Sequence, residues 1–154
     1  MGEKMNVAIG CDPNAADLKE IIKAHLAELG YSCTDYGSVD PIYANVALEV
    51  CNAVVAGKHK RGILICGTGI GMSIAANKVP GAYAALVADT YSAERASKSN
   101  NANIITLGSL VTGPALAKVL VSTWMSSEYT PGGSSEPKVQ RIRDLDKAFG
   151  KARA

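Results

Sequence analysis

One segment of the sequence combines a thiol, a hydroxyl side chain and closely spaced glycines. It is RGILICGTGIGMSIAANK, from Arg61 to Lys78. An apolar run ends at Cys66, and Thr68 follows among glycines at positions 67, 69 and 71. A buried strand, a glycine-rich turn and a helix in that order bring backbone N–H groups to a helix N-terminus, where partial positive charge collects. Because open α/β sheets bind ligands at the carboxyl ends of their strands, the segment predicts an anion-binding loop beside a thiol.

Three interpretations of this glycine-rich loop differ in the role of the glycines. A dinucleotide-binding fingerprint would need its third glycine where the chain has Met72, and it would follow the first strand instead of the third. A tight strand-to-helix turn would need only one glycine. The third interpretation is a loop whose amides, between Gly67 and Ser73, stabilise an oxyanion such as an enediolate. Cys66 would then act as a base and Thr68 would pass a proton between neighbouring oxygens, which suits proton abstraction next to a carbonyl. We favour this third interpretation.

Length and composition limit the classes of function. The chain has 154 residues and a mass of 16.0 kDa, which is enough for one domain with a buried core. A net charge of +2 without a basic run argues against a nucleic-acid partner. No apolar run reaches membrane length, and the first residues, MGEKMNVAIGCD, predict a strand better than a signal peptide. We therefore expect a cytoplasmic protein with no membrane partner.

Cysteine and histidine spacing does not indicate a metal site. The four cysteines, at positions 11, 33, 51 and 66, form no C-x-x-C pair, so neither zinc nor a disulfide framework is predicted. Cys33 and Cys51 are expected to be small buried apolar side chains. His25 and His59 have no ligand partner at metal spacing, and we expect both at the surface. The sequence therefore predicts no metal and no cofactor.

Short apolar segments alternate with segments of helical periodicity along the whole chain. The predicted strands cover residues 6–11, 31–36, 63–65, 82–87 and 103–107. The predicted helices cover about 15–29, 42–55, 72–78, 90–98 with Thr90 as N-cap, 112–125 and 137–149. This alternation is typical of an α/β protein with a parallel sheet covered by helices on both faces. We expect a single domain over residues 1–154, in which a mostly polar arm from about 130 to 154 packs on a partner subunit.

Several sequence blocks carry a family resemblance that covers nearly the whole chain. They are Gly10-Cys11-Asp12, the run from Ile65 to Gly71 with Ala75 to Lys78, Tyr91-Ser92-Ala93, Asn100 with Asn103, and Gly108-Ser109. Together they resemble the family that unites type B ribose-5-phosphate isomerases with the galactose-6-phosphate isomerase subunits. The resemblance implies a Rossmann-like three-layer α/β/α sandwich with a five-stranded parallel sheet and a C-terminal helical arm. It also implies metal-free aldose–ketose isomerisation through a cis-enediol, at a site shared between subunits of a homodimer or a dimer of dimers.

The resemblance further implies roles for individual residues. Cys66 would be the base that moves a proton between C1 and C2 of the sugar, and Thr68 would assist proton transfer at the oxygens. Amides of the loop would hold the enediolate, and other side chains would bind the sugar and its phosphate. The implied substrate-binding positions are Asp12, Gly67, Gly69, Gly71, Ser73, Ser99, Asn100 and Lys138, with Arg141 or Arg143 as further phosphate candidates.

The chain departs from the family pattern outside this proton-transfer centre. Pro13 stands where the family usually has histidine, and Asp40 stands where a tyrosine is expected. The histidine credited with opening the sugar ring aligns with Ser99. The arginines that bind phosphate align with Leu110, Ser134 and Lys138. Lysine binds phosphate as a point charge but lacks the bidentate fork of arginine.

These departures favour a substrate that needs no ring opening. A four-carbon sugar phosphorylated on its terminal oxygen cannot close a furanose. The segments from Asp89 to Arg95 and from Ser99 to Ala102 also resemble the branch of the family that interconverts erythrulose 4-phosphate and erythrose 4-phosphate. We therefore expect a tetrose phosphate, with ribose 5-phosphate as the alternative. A hypothesis of another class is a non-catalytic or half-catalytic subunit of a heteromeric isomerase, because none of the three phosphate-binding arginines is present and only a lysine, Lys138, stands at one of their positions.

Overall fold

The structure is a computed structural model that describes residues 5–153, with side chains to residue 150. The first four residues of the predicted domain and the last residue of its predicted arm lie outside the described residues. Within the described residues, no helix has the length and apolarity that crossing a bilayer requires.

Five strands alternate with six α-helices in the described residues. The strands are β1 (Asn6–Cys11), β2 (Ser32–Asp35), β3 (Gly62–Cys66), β4 (Ala84–Leu86) and β5 (Ile104–Gly108). The helices are α1 (Ala16–Glu28), α2 (Tyr43–Val55), α3 (Ile70–Ala76), α4 (Thr90–Lys98), α5 (Pro114–Ser126) and α6 (Glu136–Arg153). A short 3-10 turn, Pro13–Ala15, precedes α1.

The sheet is entirely parallel, with the strand order β2-β1-β3-β5-β4. Helices α1, α4 and α5 contribute to the apolar core on one face, and α2 and α3 to the core on the other. This arrangement confirms the expected Rossmann-like three-layer sandwich. The chain runs outward in opposite directions from β1 and β3, so a crevice opens between the carboxyl ends of these two strands.

The central and edge strands differ in burial, as their sequences require. Every residue of β3 (GILIC) and β5 (IITLG) is buried, because helices cover both faces of the sheet there. At the outer edge, β4 has only three residues. The side chain of Asn77 covers part of that edge, since its Oδ1 accepts from the Ala84 amide at 2.9 Å and its Nδ2 donates to the Ala84 carbonyl at 3.0 Å.

Some local predictions are wrong. The N-cap of α4 is Asp89 and not Thr90, because the Asp89 carboxylate accepts from the Ser92 amide at 2.7 Å and Thr90 is already helical. His59 is only 8% exposed, because its ring is hydrogen-bonded to the Tyr36 hydroxyl at 2.8 Å instead of facing solvent. Helix α3 begins before its predicted start, directly after the left-handed Gly69.

The terminal helix α6 rests partly on its own chain. Its Asp146 accepts hydrogen bonds from the Gly81 amide at 2.7 Å and from the Tyr83 hydroxyl at 3.0 Å, and its Val139 is buried. Burial of Tyr83 and its bond to Asp146 raise the pKa of this phenol to about 12. The other apolar side chains of α6 are exposed, namely Ile142, Leu145 and Phe149. Packing of this arm on a partner subunit stays a prediction.

Candidate active site

The carboxyl ends of β1, β3 and β5 bring the first group of predicted residues together. The amide of Asp12, just after β1, donates to the Ile65 carbonyl at 3.2 Å. The amide of Ser109, just after β5, donates to the Cys66 carbonyl at 2.8 Å. Asp12 is buried, and one of its carboxylate oxygens accepts from the Asn14 amide at 3.0 Å, which fixes the turn that follows β1. Asp12 and the loop after Cys66 thus lie next to each other at the point where the strand order reverses.

The sulfur of Cys66 faces a backbone donor of its own loop. Cys66 is 5% exposed, and its Sγ accepts from the Gly69 amide at 3.1 Å. The chain turns back in this way because Gly69 has a φ of +79°, which L-residues rarely adopt. A buried hydroxyl holds the turn, since Thr106 Oγ1 donates to the Gly69 carbonyl at 2.9 Å. The sulfur is therefore held at the carboxyl end of β3 with a fixed hydrogen-bond donor.

The other three cysteines are poorly suited to proton transfer. Burial raises the pKa of the Cys11 thiol to about 11 and that of Cys51 to about 12. Burial also raises the pKa of Cys33. These thiols stay protonated at neutral pH. Cys51 is buried as expected, whereas Cys33 is only half-buried because it lies on the edge strand β2.

Thr68 lies at the exposed rim of the same loop. Its Oγ1 accepts from the Ile70 amide at 3.2 Å, so its own hydroxyl proton is free to be donated. The backbone of Thr68 rests directly on the end of β5, because a Cβ on Gly108 would lie 2.6 Å from the Thr68 carbonyl atoms. The absence of a side chain at Gly108 therefore sets the height of the loop above the sheet.

Only some of the predicted loop amides are available to an oxyanion. The Gly69 amide is used by Cys66, and the Ser73 amide donates to the Gly69 carbonyl at 3.1 Å within the first turn of α3. Within the described residues, the amides of Gly67, Gly71 and Met72 have no hydrogen-bond acceptor. Met72 lies inside the predicted range of amides from Gly67 to Ser73 but is not among the named substrate-binding positions. Its amide could have been named from the rule that the first N–H groups of any helix lack an intrahelical partner. Because α3 has only seven residues, these individual donors matter more than a helix dipole.

The second group of predicted residues lies at the other end of the strands, near their amino ends. Ser99 is the C-cap of α4, and Asn100 follows it, just before the amino end of β5. Asn100 lines a small surface cavity with Val139 and Arg143 of α6, and Lys138 is the neighbour of Val139 in that helix. The five-residue β3 separates the two ends by roughly 15 Å at about 3.3 Å per residue. One chain therefore does not bring Ser99, Asn100 and Lys138 to Cys66.

Two further side chains join these groups without having been predicted. Arg95 lies one helical turn before Ser99 and donates to its Oγ at 3.3 Å, while also donating to Glu94 at 2.8 Å. The i, i+4 spacing on α4 could have indicated this contact. Tyr43, at the start of α2, lies against Gly71 of the loop, and no local sequence signal links these two positions. Within the described residues, no three His, Cys, Asp or Glu side chains are grouped to hold a metal ion.

Comparisons with known proteins agree across nearly the full chain. The model of the ribose/galactose isomerase family matches residues 7–142. A D-erythrulose-4-phosphate isomerase of Pectobacterium atrosepticum is 51% identical over 142 residues, or 90% of this chain and 93% of that protein. A ribose-5-P isomerase B of Listeria innocua is 46% identical over 145 residues, or 92% of this chain and 97% of that protein. The solved structure of Clostridium thermocellum ribose-5-phosphate isomerase B has a TM-score of 0.88 at 41% identity, covering 94% of this chain and 99% of that one.

Proposed function

The chain belongs to the ribose/galactose isomerase family, and on that premise we propose that it interconverts the aldose and ketose forms of a small phosphorylated sugar. The observation that carries the proposal is the position of Cys66 at the carboxyl end of β3, where its sulfur accepts from the Gly69 amide in the same loop as Thr68 and the unpaired loop amides. A base, a proton-relaying hydroxyl and oxyanion donors are the parts that proton transfer through an enediolate requires.

The proposed reaction uses the loop residues in sequence. The thiolate of Cys66 removes the proton from the carbon next to the carbonyl, and the electron pair moves to the carbonyl oxygen to form a cis-enediolate. The amides of Gly67, Gly71 and Met72 stabilise the negative oxygen. Thr68 passes a proton between the two neighbouring oxygens, and the Cys66 thiol returns its proton to the adjacent carbon. These amides stabilise the negative charge on the enediolate oxygen, which a metal ion would otherwise do. We therefore propose a metal-independent reaction.

An open-chain tetrose phosphate is the substrate that we favour, namely erythrulose 4-phosphate and its aldose erythrose 4-phosphate. Ser99 replaces the histidine credited with opening the sugar ring, and such a tetrose has no furanose to open. The 51% identical relative named as a D-erythrulose-4-phosphate isomerase supports the same choice. Ribose 5-phosphate is the second candidate, because the Listeria innocua relative is named as a ribose-5-P isomerase B.

A homodimer, or a dimer of such dimers, would complete the site. In this proposal Asn100 and Lys138 of one protomer face Cys66 of its partner, because they lie at opposite ends of the strands within one chain. Lys138, with Arg141 or Arg143 of the same helix as a further candidate, would bind the phosphate. A phosphorylated substrate also supports the cytoplasm as the location, since charged sugars do not cross membranes unaided.

Turnover by the purified chain tests the proposal. Isomerisation of erythrulose 4-phosphate and of ribose 5-phosphate is measured for the wild type, for Cys66→Ala and for Cys33→Ala as the matched control. We expect faster turnover of the tetrose, loss of activity in Cys66→Ala and little change in Cys33→Ala. Faster turnover of ribose 5-phosphate would refute the tetrose preference. A folded wild type without activity on either sugar would instead favour the heteromeric subunit hypothesis.

A further inference from the structure

Tyr43 covers the part of the loop that the proposed reaction uses for charge stabilisation. It is the first residue of α2, and its ring lies against Gly71. A Cβ on Gly71 would lie 2.4 Å from Cζ of Tyr43 and 2.6 Å from its hydroxyl oxygen. The phenol therefore occupies the space directly above a residue whose amide has no acceptor.

The turn that presents Tyr43 is fixed by Asp40. One carboxylate oxygen of Asp40 accepts from the Ile42 amide at 2.8 Å, and the other accepts from the Asn45 side chain at 2.9 Å. These bonds hold the pKa of the Asp40 carboxyl below its usual value. Asp40, at the position where the family has a tyrosine, thus stabilises the turn before α2. The aromatic side chain that covers the loop belongs to Tyr43, three residues later.

The hydroxyl of Tyr43 has no hydrogen-bond acceptor among the described residues. Within the part of the chain that the structure describes, this hydroxyl makes no hydrogen bond, and the residue is 40% exposed. By contrast, the hydroxyl of Tyr36 is hydrogen-bonded to His59, and that of Tyr83 donates to Asp146. The Gly71 amide and the Tyr43 hydroxyl are therefore two donors without a protein acceptor on residues in close contact.

We propose that Tyr43 is a substrate-contacting residue whose hydroxyl donates a hydrogen bond to the enediolate oxygen bound by the Gly71 amide. The inference rests on the proposed isomerase function and adds a donor to it. The ring shields the same oxygen from water, which strengthens both bonds. Because the oxygen gains its full charge only during the reaction, the bond accelerates the chemical step more than it tightens substrate binding.

Steady-state kinetics of Tyr43→Phe test this role, because the variant keeps the ring over Gly71 and removes only the hydroxyl. We expect kcat on the preferred sugar phosphate to fall by about 10- to 100-fold, with KM changed less than about threefold. Binding of a four-carbon aldonohydroxamate phosphate, a stable mimic of the enediolate, should weaken by a similar factor. Tyr31→Phe is the matched control, because Tyr31 lies at the amino end of the edge strand β2, whereas Gly71 follows the carboxyl end of β3. This variant should keep its activity.

Each other outcome overturns the inference. An unchanged kcat in Tyr43→Phe would show that the hydroxyl does not meet the developing charge. A rise in KM alone would mean that Tyr43 contacts the bound substrate but does not stabilise the transition state. An equal fall of kcat in Tyr31→Phe would mean that removing any tyrosine hydroxyl has this effect. Wild-type turnover separates this result from the proposed function: an active wild type with an unaffected variant rejects only the role of Tyr43, whereas an inactive wild type rejects both.

Discussion

Subunit complementation should restore activity between two inactive variants. The sheet separates Cys66 at one end of its strands from Asn100 and Lys138 at the other, so a site that uses both groups takes them from two chains. In the proposed homodimer, Cys66→Ala would break the first half of every site of its own dimer, and Asn100→Ala would break the second half. In a mixed dimer, both lesions fall in one site and leave the other site intact.

The expected magnitude follows from the symmetry of a dimer. Equal amounts of the two variants that pair at random give mixed dimers in about half of all cases, and each has one intact site of two, so about a quarter of wild-type activity returns. The assay mixes the purified variants, allows subunit exchange, confirms the mixed dimers by native mass spectrometry and then measures isomerase turnover. A mixture of Cys66→Ala with Thr68→Val is the control, because both lesions lie in the same half and no site is repaired.

Two results would refute this reasoning. Confirmed mixed dimers without regained activity would mean that the two groups do not meet across subunits. Full activity of Asn100→Ala alone would mean that Asn100 takes no part in the reaction. Either result would return the search for the phosphate site to the chain that carries Cys66.

Three further predictions concern the loop and its surroundings. Gly69→Ala and Gly132→Ala both place alanine at a φ of +79°, which costs about 1 kcal/mol in each, but only Gly69→Ala meets the Leu107 carbonyl carbon at 2.9 Å. Thermal unfolding should therefore show an additional loss of about 1–3 kcal/mol for Gly69→Ala, and equal melting temperatures would contradict the close packing. Although burial alone would raise the pKa of Asp35, hydrogen bonds from Lys19, Lys23 and the Gly37 amide lower it to about 2 from 3.8. Stability of about 1–2 kcal/mol, discounted for partial exposure, is thus present above pH 4 and is lost as the pH falls from about 4 to 2, and Asp35→Asn should remove this pH dependence in urea unfolding. Alkylation at neutral pH, followed by peptide mass spectrometry, should spare Cys11 and Cys51 because their raised pKa values keep them protonated; rapid labelling of Cys51 in the folded protein would contradict its burial.

The parts of the fold that periodic patterns specify were predictable from the sequence. The fully apolar runs of β3 and β5 identified central strands, and the alternation of strands with helices identified the parallel sheet. The family resemblance is confirmed by the match over residues 7–142. Ends of elements were less accurate because they depend on single hydrogen bonds, such as the cap that Asp89 makes instead of Thr90.

Within the candidate site, contacts between distant segments could not be predicted. Local sequence placed Cys66 and Thr68 on a glycine-rich loop after a strand. It could not show that the Gly69 and Ser73 amides are already used, because that depends on how the loop folds back on Cys66. Nor could it show that Tyr43 meets Gly71, since α2 and α3 are brought together only by packing on the sheet. The roles of these residues in the reaction stay predictions.

The pairing of Asn77 with Ala84 has a consequence for how copies of this chain can associate. An exposed strand edge offers unpaired donors and acceptors that can recruit a strand from a second molecule. Here one side-chain amide satisfies both backbone groups of Ala84, the first residue of the shortest strand of the sheet. A foreign strand would have to displace these two hydrogen bonds before it could extend the ladder at β4. The asparagine thus protects the chain against growth into continuous sheets, and it directs association at this side of the molecule to side-chain surfaces.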